Sequence, residues 1–138
     1  MGSMPGWKLA NLADIPALGP AAEREYWERW TPDPTFGRNW HSVRRHLGIE
    51  GFGANANEAD AGELLVVPHA GDDHAGQEEI YVLLKGRARF VCDGVEVEVG
   101  EGDVLFVPPD VAREAVALAS PTRIFVVGGI PGAPYRPA

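Results

Sequence analysis

Side chains that can bind a metal ion or transfer a proton are concentrated in one short stretch of the sequence. It contains two histidines, four carboxylates and one glutamine: His69, Asp72, Asp73, His74, Gln77, Glu78 and Glu79. The stretch runs through glycines directly into the apolar residues 80–84, IYVLL. Imidazole nitrogens and carboxylate oxygens that converge at the start of a strand are ligands for first-row transition metals, and they can also relay protons. We therefore expect the functional site where this strand begins.

The elements that must position these residues are short strands. Residues 87–92 and 95–99 alternate between apolar and other side chains on either side of Asp93-Gly94, a pair typical of a type I′ turn, so they predict a β-hairpin. Further apolar runs are set off by Gly, Pro or Ser at 62–68, 80–84, 104–107, 113–118 and 123–127. About seven strands spaced by about 8–12 residues, with no room for crossover helices, predict an all-β sandwich or barrel.

The strand after the polar stretch is apolar on both faces. Alternation places Glu79 and Tyr81 on one face and Ile80 and Val82 on the other. This pattern predicts a strand that is buried on both sides, as in a barrel made of two packed sheets.

The chain divides into an arm, a barrel and a tail. Residues 1–48 form the N-terminal arm, 49–130 the barrel and 131–138 a C-terminal tail, and residues 1–3 are interpreted as a cloning scar. One helix is predicted in the arm at 20–30, where Ala22, Tyr26 and Trp30 follow one another at helical spacing. We expect this stripe to pack the arm against the barrel.

Composition and charge exclude several classes of function. The 138 residues are 45% hydrophobic and 23% charged, which is typical of one globular domain. A net charge of −8 without a basic block argues against nucleic acid and anionic membranes as partners. No apolar run approaches the ~20 residues of a membrane span, and no signal pattern is visible, so a cytoplasmic protein is expected. The single cysteine, Cys92, excludes an internal disulfide.

Two strings in the strand region resemble the paired motifs of the cupin superfamily. The spacing from His74 through Glu79 to Gly86 resembles the first motif, and Gly102 to Pro108 (GDVLFVP) resembles the start of the second. The predicted hairpin lies between them, as it does in cupins. The resemblance covers residues 62–129 and implies a double-stranded β-helix, or jelly-roll barrel, here with a short N-terminal helical arm. It also implies a homodimer, because cupins commonly pair by strand exchange at sheet edges.

The second half of the resemblance breaks down at the metal site. Metal-binding cupins use two histidines and the glutamate of the first motif together with the histidine of the second. Here Asp72 stands at the first histidine position, and Arg113 stands where the second motif has its histidine. Arginine stays protonated and cannot coordinate a cation. Two of the four usual metal ligands are therefore replaced, and no metal cofactor is favoured.

A rearranged metal site stays open as an alternative. The two matched ligands are His74 and Glu79, and a third would have to be His69, Asp72 or Gln77. His69, His74 and Glu79 on one face, with open positions opposite, would suit iron, manganese, nickel or zinc.

Arg113 leads to a different hypothesis. An isolated carboxylate taken out of water needs a counter-charge, which the metal provides in the metal-binding relatives. If Arg113 faces inward, its guanidinium would take that role by pairing with Glu79, or it would meet an anionic ligand. The alternative is an Arg113 exposed at the barrel mouth.

Three functions follow. The favoured one is a metal-free barrel that binds a small apolar or weakly acidic organic molecule in a pocket lined by Tyr81, Phe90, Phe106 and Arg113. The candidate catalytic residues are His74, Glu79 and Arg113, since Arg113 can orient an oxyanion while Glu79 or His74 relays a proton. Such a protein would be an isomerase, a cyclase, a lyase or only a carrier. The alternatives are a dioxygenase-like metal-dependent enzyme and a non-catalytic sensing or interaction domain.

Overall fold

The structure is a computed structural model that describes residues 6–17, 40–70 and 76–133. Within these residues the chain forms β-strands, one short α-helix and one 3₁₀ turn. Their bounds are Leu12–Asp14 (3₁₀ turn), Trp40–Ser42 (β1), Val43–Leu47 (α1), Gly53–Ala59 (β2), Leu64–His69 (β3), Glu78–Lys85 (β4), Arg87–Cys92 (β5), Val95–Gly100 (β6), Val104–Val107 (β7), Arg113–Ala117 (β8) and Thr122–Gly129 (β9).

The strands form two antiparallel sheets. One sheet has five strands in the order β1-β2-β9-β4-β7, and the other has four in the order β3-β8-β5-β6. Strands that are distant in sequence lie side by side in both sheets, as in a jelly roll. The prediction of an all-β cupin-type barrel is confirmed. The helix predicted at 20–30 lies outside the described residues. Among the described helices, none is long and apolar enough to cross a membrane.

Turn residues at defined positions set the strand pairing. Asp93 and Gly94 have φ angles of 49° and 80°, so both central residues of the β5–β6 turn are left-handed, as a type I′ turn requires. Gly86, between β4 and β5, also has a positive φ, of 84°. A Cβ atom there would lie 2.5 Å from the Thr122 hydroxyl, so only glycine fits.

The N-terminal part contributes to the sheet. Strand β1 pairs with β2, with Trp40 opposite Asn57, and α1 follows it directly. Ile15 packs with Val43 and Ala54 in a small second core. The five-stranded sheet therefore begins at Trp40, inside the segment 1–48 that the sequence assigned to the arm. Three strand residues, WHS, are too few to show an alternation that could have predicted this.

The main core lies between the two sheets and contains the inward side chains of both. On β4, Tyr81 and Leu83 are fully buried, whereas Leu84 is 44% exposed and Ile80 and Val82 are half-buried. The prediction that this strand is buried on both sides is therefore wrong for its outer face. Apolar residues on that face belong to a partly exposed sheet surface.

Candidate functional site

Three inward-facing residues from different strands meet at one end of the space between the sheets. Glu79 lies on β4, where it stands opposite Val107 of β7 and Gly128 of β9. Arg113 of β8 and His69 of β3 are paired in the facing sheet. The site is thus built across the two sheets.

One carboxylate oxygen of Glu79 collects three donors. Oε1 accepts hydrogen bonds from the Tyr81 hydroxyl at 2.8 Å and from Nη1 of Arg113 at 3.0 Å. Nε2 of His69 lies 3.3 Å from the same oxygen. The structure therefore brings together Glu79, Arg113 and His69 from the sequence-derived candidates and adds Tyr81 as a direct partner of the carboxylate.

Arg113 is enclosed by protein. Its side chain has no exposed surface, and Nη2 donates to the carbonyl oxygens of Pro108 at 2.6 Å and Val107 at 3.5 Å. Nε is buried and has no hydrogen-bond partner within the described part of the chain. An exposed Arg113 at the barrel mouth, the alternative left open by the sequence, is excluded. Burying a guanidinium costs several kcal/mol, which the Glu79 carboxylate offsets because it is close and hydrogen-bonded.

The surroundings of Glu79 favour its charged form. Burial alone would raise the pKa of the carboxyl group. Hydrogen bonds from His69 and Tyr81, together with the electrostatic interactions with His69 and Arg113, lower the pKa by more than burial raises it. The net effect is a pKa below the ordinary value of 4.5. At neutral pH Glu79 is therefore a carboxylate that accepts a proton rather than an acid that donates one.

The environment of Tyr81 has the opposite effect. Burial, followed by the charge and hydrogen bond of Glu79, raises the pKa of Tyr81 well above 10. Tyr81 consequently stays protonated, and its hydroxyl donates a hydrogen bond to the Glu79 carboxylate. Its ring packs edge-on against Phe90, with ring centroids 5.1 Å apart, which fixes the direction of the hydroxyl.

Both ring nitrogens of His69 face oxygen atoms. Nδ1 lies 2.7 Å from the Val67 carbonyl oxygen, which can only accept, so Nδ1 carries a proton. Nε2 faces the Glu79 carboxylate. The ring is thus held between a backbone carbonyl and the Glu79 carboxylate.

A cavity of about 510 Å³ opens in front of this cluster. His69, Glu79 and Tyr81 form part of its wall, whereas Arg113 lies behind Glu79 and is not among the described lining residues. The remaining wall comes from β1, α1, β2, β3, β9 and neighbouring loops, and it mixes apolar with polar side chains. Its polar residues are Ser42, Arg44, Arg45, Glu50, Asn55, Asn57 and Gln77.

Two of the predicted pocket residues do not line this cavity. Phe90 is fully buried in the main core, and Phe106 is 56% exposed on the outer face of β7. Leu105 stands opposite Tyr81 and therefore takes the inward position next to Phe106. The sequence could not show which side chains of β7 face inward, because every residue of β7 is apolar. Arg113 lies behind the cavity wall as a buried partner of Glu79, and Tyr81 lines the cavity.

The polar residues of the cavity wall were not predicted from the sequence. Strand β2 reads GANANEA, in which Asn55 and Asn57 alternate with alanines and face inward. That alternation could have indicated a polar inward face. The same pattern is also expected of a surface strand that turns its alanines to the core and its polar side chains to solvent. The arginines Arg44 and Arg45 come from α1, which was not predicted. His74 and Asp72 lie outside the described residues.

The described residues do not fit a metal ion. Among them, no group of three or more His, Cys, Asp or Glu side chains is arranged to hold one. Only His69 and Glu79 converge, and a guanidinium nitrogen lies 3.0 Å from the Glu79 oxygen that would coordinate. A fixed positive charge at this distance opposes a second cation.

Comparison with known proteins agrees with the fold and the motif. The model of the cupin domain family matches residues 60–128, half of the chain. The chain therefore belongs to the cupin domain family. No curated protein matches the sequence.

Solved structures with the same fold have varied functions. A cupin protein from Bacteroides fragilis is 26% identical with a TM-score of 0.60, over 72% of this chain and 82% of that one. KdgF from Halomonas sp. is 18% identical with a TM-score of 0.53, over 64% and 83%. A sugar phosphate isomerase of the cupin superfamily from Silicibacter pomeroyi is 22% identical with a TM-score of 0.56, over 64% and 57%. The last two likenesses concern the fold alone.

Proposed function

We propose that this cupin binds a small, weakly acidic or apolar organic molecule in the barrel mouth, and that Arg113 replaces the usual metal as the counter-charge of Glu79. The observation that carries the proposal is the buried guanidinium bonded to Glu79 at 3.0 Å behind a cavity of about 510 Å³. Cavities of this size, with a few converging polar groups, are typical ligand sites. A cavity of this size also argues against the alternative of a merely filled core.

The groups that face the cavity suit proton transfer. Glu79 is ionised and can accept a proton from a bound acid, while the neighbouring His69 imidazole can relay a proton to another atom of the ligand. Tyr81 and Arg113 hold the carboxylate in place between these steps. Such a pair supports isomerisation, cyclisation or elimination, and without a reactive ligand the same site is a carrier.

The proposal is tested by blocking the cavity. Gly53 lines it, and a Cβ atom there would make only an ordinary contact, 3.7 Å from the Gly128 carbonyl oxygen. Gly53→Leu should therefore fold and fill the cavity, whereas Gly6→Leu, at a site with open space, serves as the control. In a thermal-shift screen of small carboxylic acids, enols and phenols, the wild-type and control proteins should be stabilised by the same compounds and Gly53→Leu by none. Equal responses in all three would place the ligand elsewhere.

A metal-dependent enzyme is the second candidate, with His69, His74 and Glu79 as ligands. One observation favours it: Nδ1 of His69 is bonded to the Val67 carbonyl, as is common for metal-bound histidines, and Nε2 is 3.3 Å from Glu79. The bond from Arg113 to the same carboxylate oxygen argues against it. Metal analysis distinguishes the two candidates.

A further inference from the structure

We infer that the ligand of this cavity is an uncharged phenol with a second hydroxyl group on the far side of its ring. One hydroxyl is bound by Oε2 of Glu79 and the other by the side-chain amide of Asn55, and the ring lies over Gly53 and Gly128. The inference rests on the proposed function, because it assumes that the cavity binds a small molecule. It goes further by naming the class of ligand and a residue, Asn55, that selects it.

Glu79 has one carboxylate oxygen left for a ligand. The three polar contacts that hold its side chain all end on Oε1, and no hydrogen bond from a described residue ends on Oε2. The side chain is 16% exposed and lines the cavity. Because the oxygen of an ionised carboxylate only accepts, the group of the ligand that meets Oε2 must be a donor, such as a hydroxyl.

Asn55 presents a second polar group of fixed orientation to the cavity. The carbonyl oxygen of Leu65 can only accept, so Asn57, which is 5% exposed, points its Nδ2 at that oxygen from 3.0 Å. Oδ1 of Asn57 then accepts from Nδ2 of Asn55 at 2.6 Å. Asn55 keeps one N–H and its carbonyl oxygen for a ligand, and a hydroxyl, which donates and accepts, satisfies both. The amide loses little freedom on binding because it is already held.

Two glycines give the cavity a flat floor between these polar groups. Gly128 of β9 stands opposite both Glu79 of β4 and Gly53 of β2, so the three residues face inward in one row. Without side chains, the floor at the two glycines is bare backbone, which a flat ring can contact over its whole face. Glu79 and Asn55 lie two strands apart, about 10 Å across the sheet. Hydrogen bonds of about 2.8 Å at both ends leave room for one six-membered ring with oxygens at opposite ends.

The described charges around the cavity favour an uncharged ligand. Arg44 and Glu50 have opposite charges, and Arg45 already has a partner. Glu79 is balanced by the buried Arg113. The described wall thus offers no surplus positive charge to a carboxylate, and the net charge of −8 on the whole chain repels anions. A phenol, with a pKa of about 10, is neutral at neutral pH and still donates a hydrogen bond to a carboxylate.

Four probes of similar size separate the elements of the inference. The reference probe is p-hydroxybenzyl alcohol, a flat, neutral phenol with a second hydroxyl across the ring. The other three each lack one feature: p-cresol lacks the second hydroxyl, the ring-saturated analogue of the reference probe is not flat, and p-hydroxybenzoate carries a negative charge. By isothermal titration calorimetry of the full chain at neutral pH, the reference probe should bind about tenfold or more tighter than each of the others.

Each other outcome overturns the inference. Equal binding by p-cresol would refute the contact with Asn55, equal binding by the saturated analogue would refute the flat floor, and equal binding by p-hydroxybenzoate would refute the charge argument. Failure of all four probes would overturn the inference as a whole. The proposed function is decided separately by the cavity-blocking screen, so the two failures are distinguishable.

A variant assigns the second hydroxyl to its residue. Asn55→Ala should weaken p-hydroxybenzyl alcohol about tenfold and leave p-cresol unchanged, because only the first has a hydroxyl for the amide. Asn11→Ala is the matched control: it removes an exposed amide that also makes one hydrogen bond, to the Ala13 N–H, and it should change neither ligand. Equal effects of the two variants, or equal weakening of both ligands by Asn55→Ala, would contradict the assignment. The probe comparison on the unaltered chain decides the inference even where Asn55→Ala does not fold.

Discussion

At the scale of single residues, the molecule is defined by what surrounds one oxygen of Glu79. Three donors from three strands converge on it, and one of them belongs to a fully buried arginine. The sequence allowed Arg113 to be recognised as the residue at a metal-ligand position and its pairing with Glu79 to be expected. It did not reveal Tyr81 as a third donor, because a hydroxyl among apolar strand residues looks like ordinary core.

Loss of Arg113 should destabilise the fold strongly. Arg113→Met leaves the Glu79 carboxylate buried without this counter-charge, so we expect a loss of about 3–5 kcal/mol in the free energy of unfolding, measured by urea denaturation. Arg113→Lys keeps a charge and should lose less. The control is Arg123→Met, whose pair with Glu58 is about one-third exposed and should cost less than about 1 kcal/mol. Equal costs for Arg113→Met and Arg123→Met would refute the role given to the buried pair.

Stability should also depend on pH through Glu79. Because its folded-state pKa lies below the ordinary 4.5, its charge stabilises the fold above pH 4.5, and this contribution is lost as the pH falls through the lower, folded-state value. The difference in unfolding free energy between wild type and Glu79→Gln should therefore be largest near neutral pH and shrink in acid. Urea denaturation at a series of pH values from 7 to about 3 measures it. A difference that stays constant over this range would show that ionisation of Glu79 is not what stabilises the fold.

At the scale of elements, the sequence predicted where the strands lie better than it predicted which of their side chains face inward. The hairpin at Asp93-Gly94 follows from turn chemistry, which is local, and it is confirmed. The inward direction of Leu105 rather than Phe106 depends on pairing with β4, which a uniformly apolar strand does not encode. The polar cavity wall on β2 likewise became visible only once the neighbouring strands were known.

Strand β9 makes room for the Glu79 side chain. Gly128 stands opposite Glu79, and a Cβ atom there would lie 3.1 Å from Cγ of Glu79 and from Oε1 of Gln77. Gly128→Ala should therefore displace the carboxylate and lower the free energy of unfolding by about 1–3 kcal/mol in urea denaturation. Gly129→Ala, next along the strand with no atom within 4 Å, should cost about 0.5 kcal/mol or less. Similar effects of the two variants would contradict this account of β9.

At the scale of the whole molecule, family membership determines the barrel but not its chemistry. The cupin motif predicted the fold because turn glycines and apolar strands specify it, whereas the ligand set depends on a few side chains that differ here. Part of the cavity wall could not be predicted from the family motif, since it comes from β1, α1 and β2, which precede the region matched by the family. The same fold supports many activities, so function must be argued from the site.

Exposed apolar side chains lie at one edge of the five-stranded sheet. Val104 and Phe106 on β7 and Leu84 on β4 are 61%, 56% and 44% exposed, and β7 is the edge strand of its sheet. A second copy that pairs at this edge would cover these side chains, so we propose a homodimer, with a mass about twice 14.8 kDa by light scattering. Phe106→Glu should shift it to the monomer. A wild-type monomer at all concentrations would exclude the proposal.

The central claim is that Arg113, and not a metal ion, balances the charge of Glu79. Mass-spectrometric metal analysis of tag-free protein, combined with melting temperature before and after chelator treatment, tests it most directly. We expect far less than one equivalent of metal per chain and an unchanged melting temperature. Near-stoichiometric iron, manganese, nickel or zinc, with a melting temperature lowered by the chelator, would contradict the claim and make His69, His74 and Glu79 the ligands.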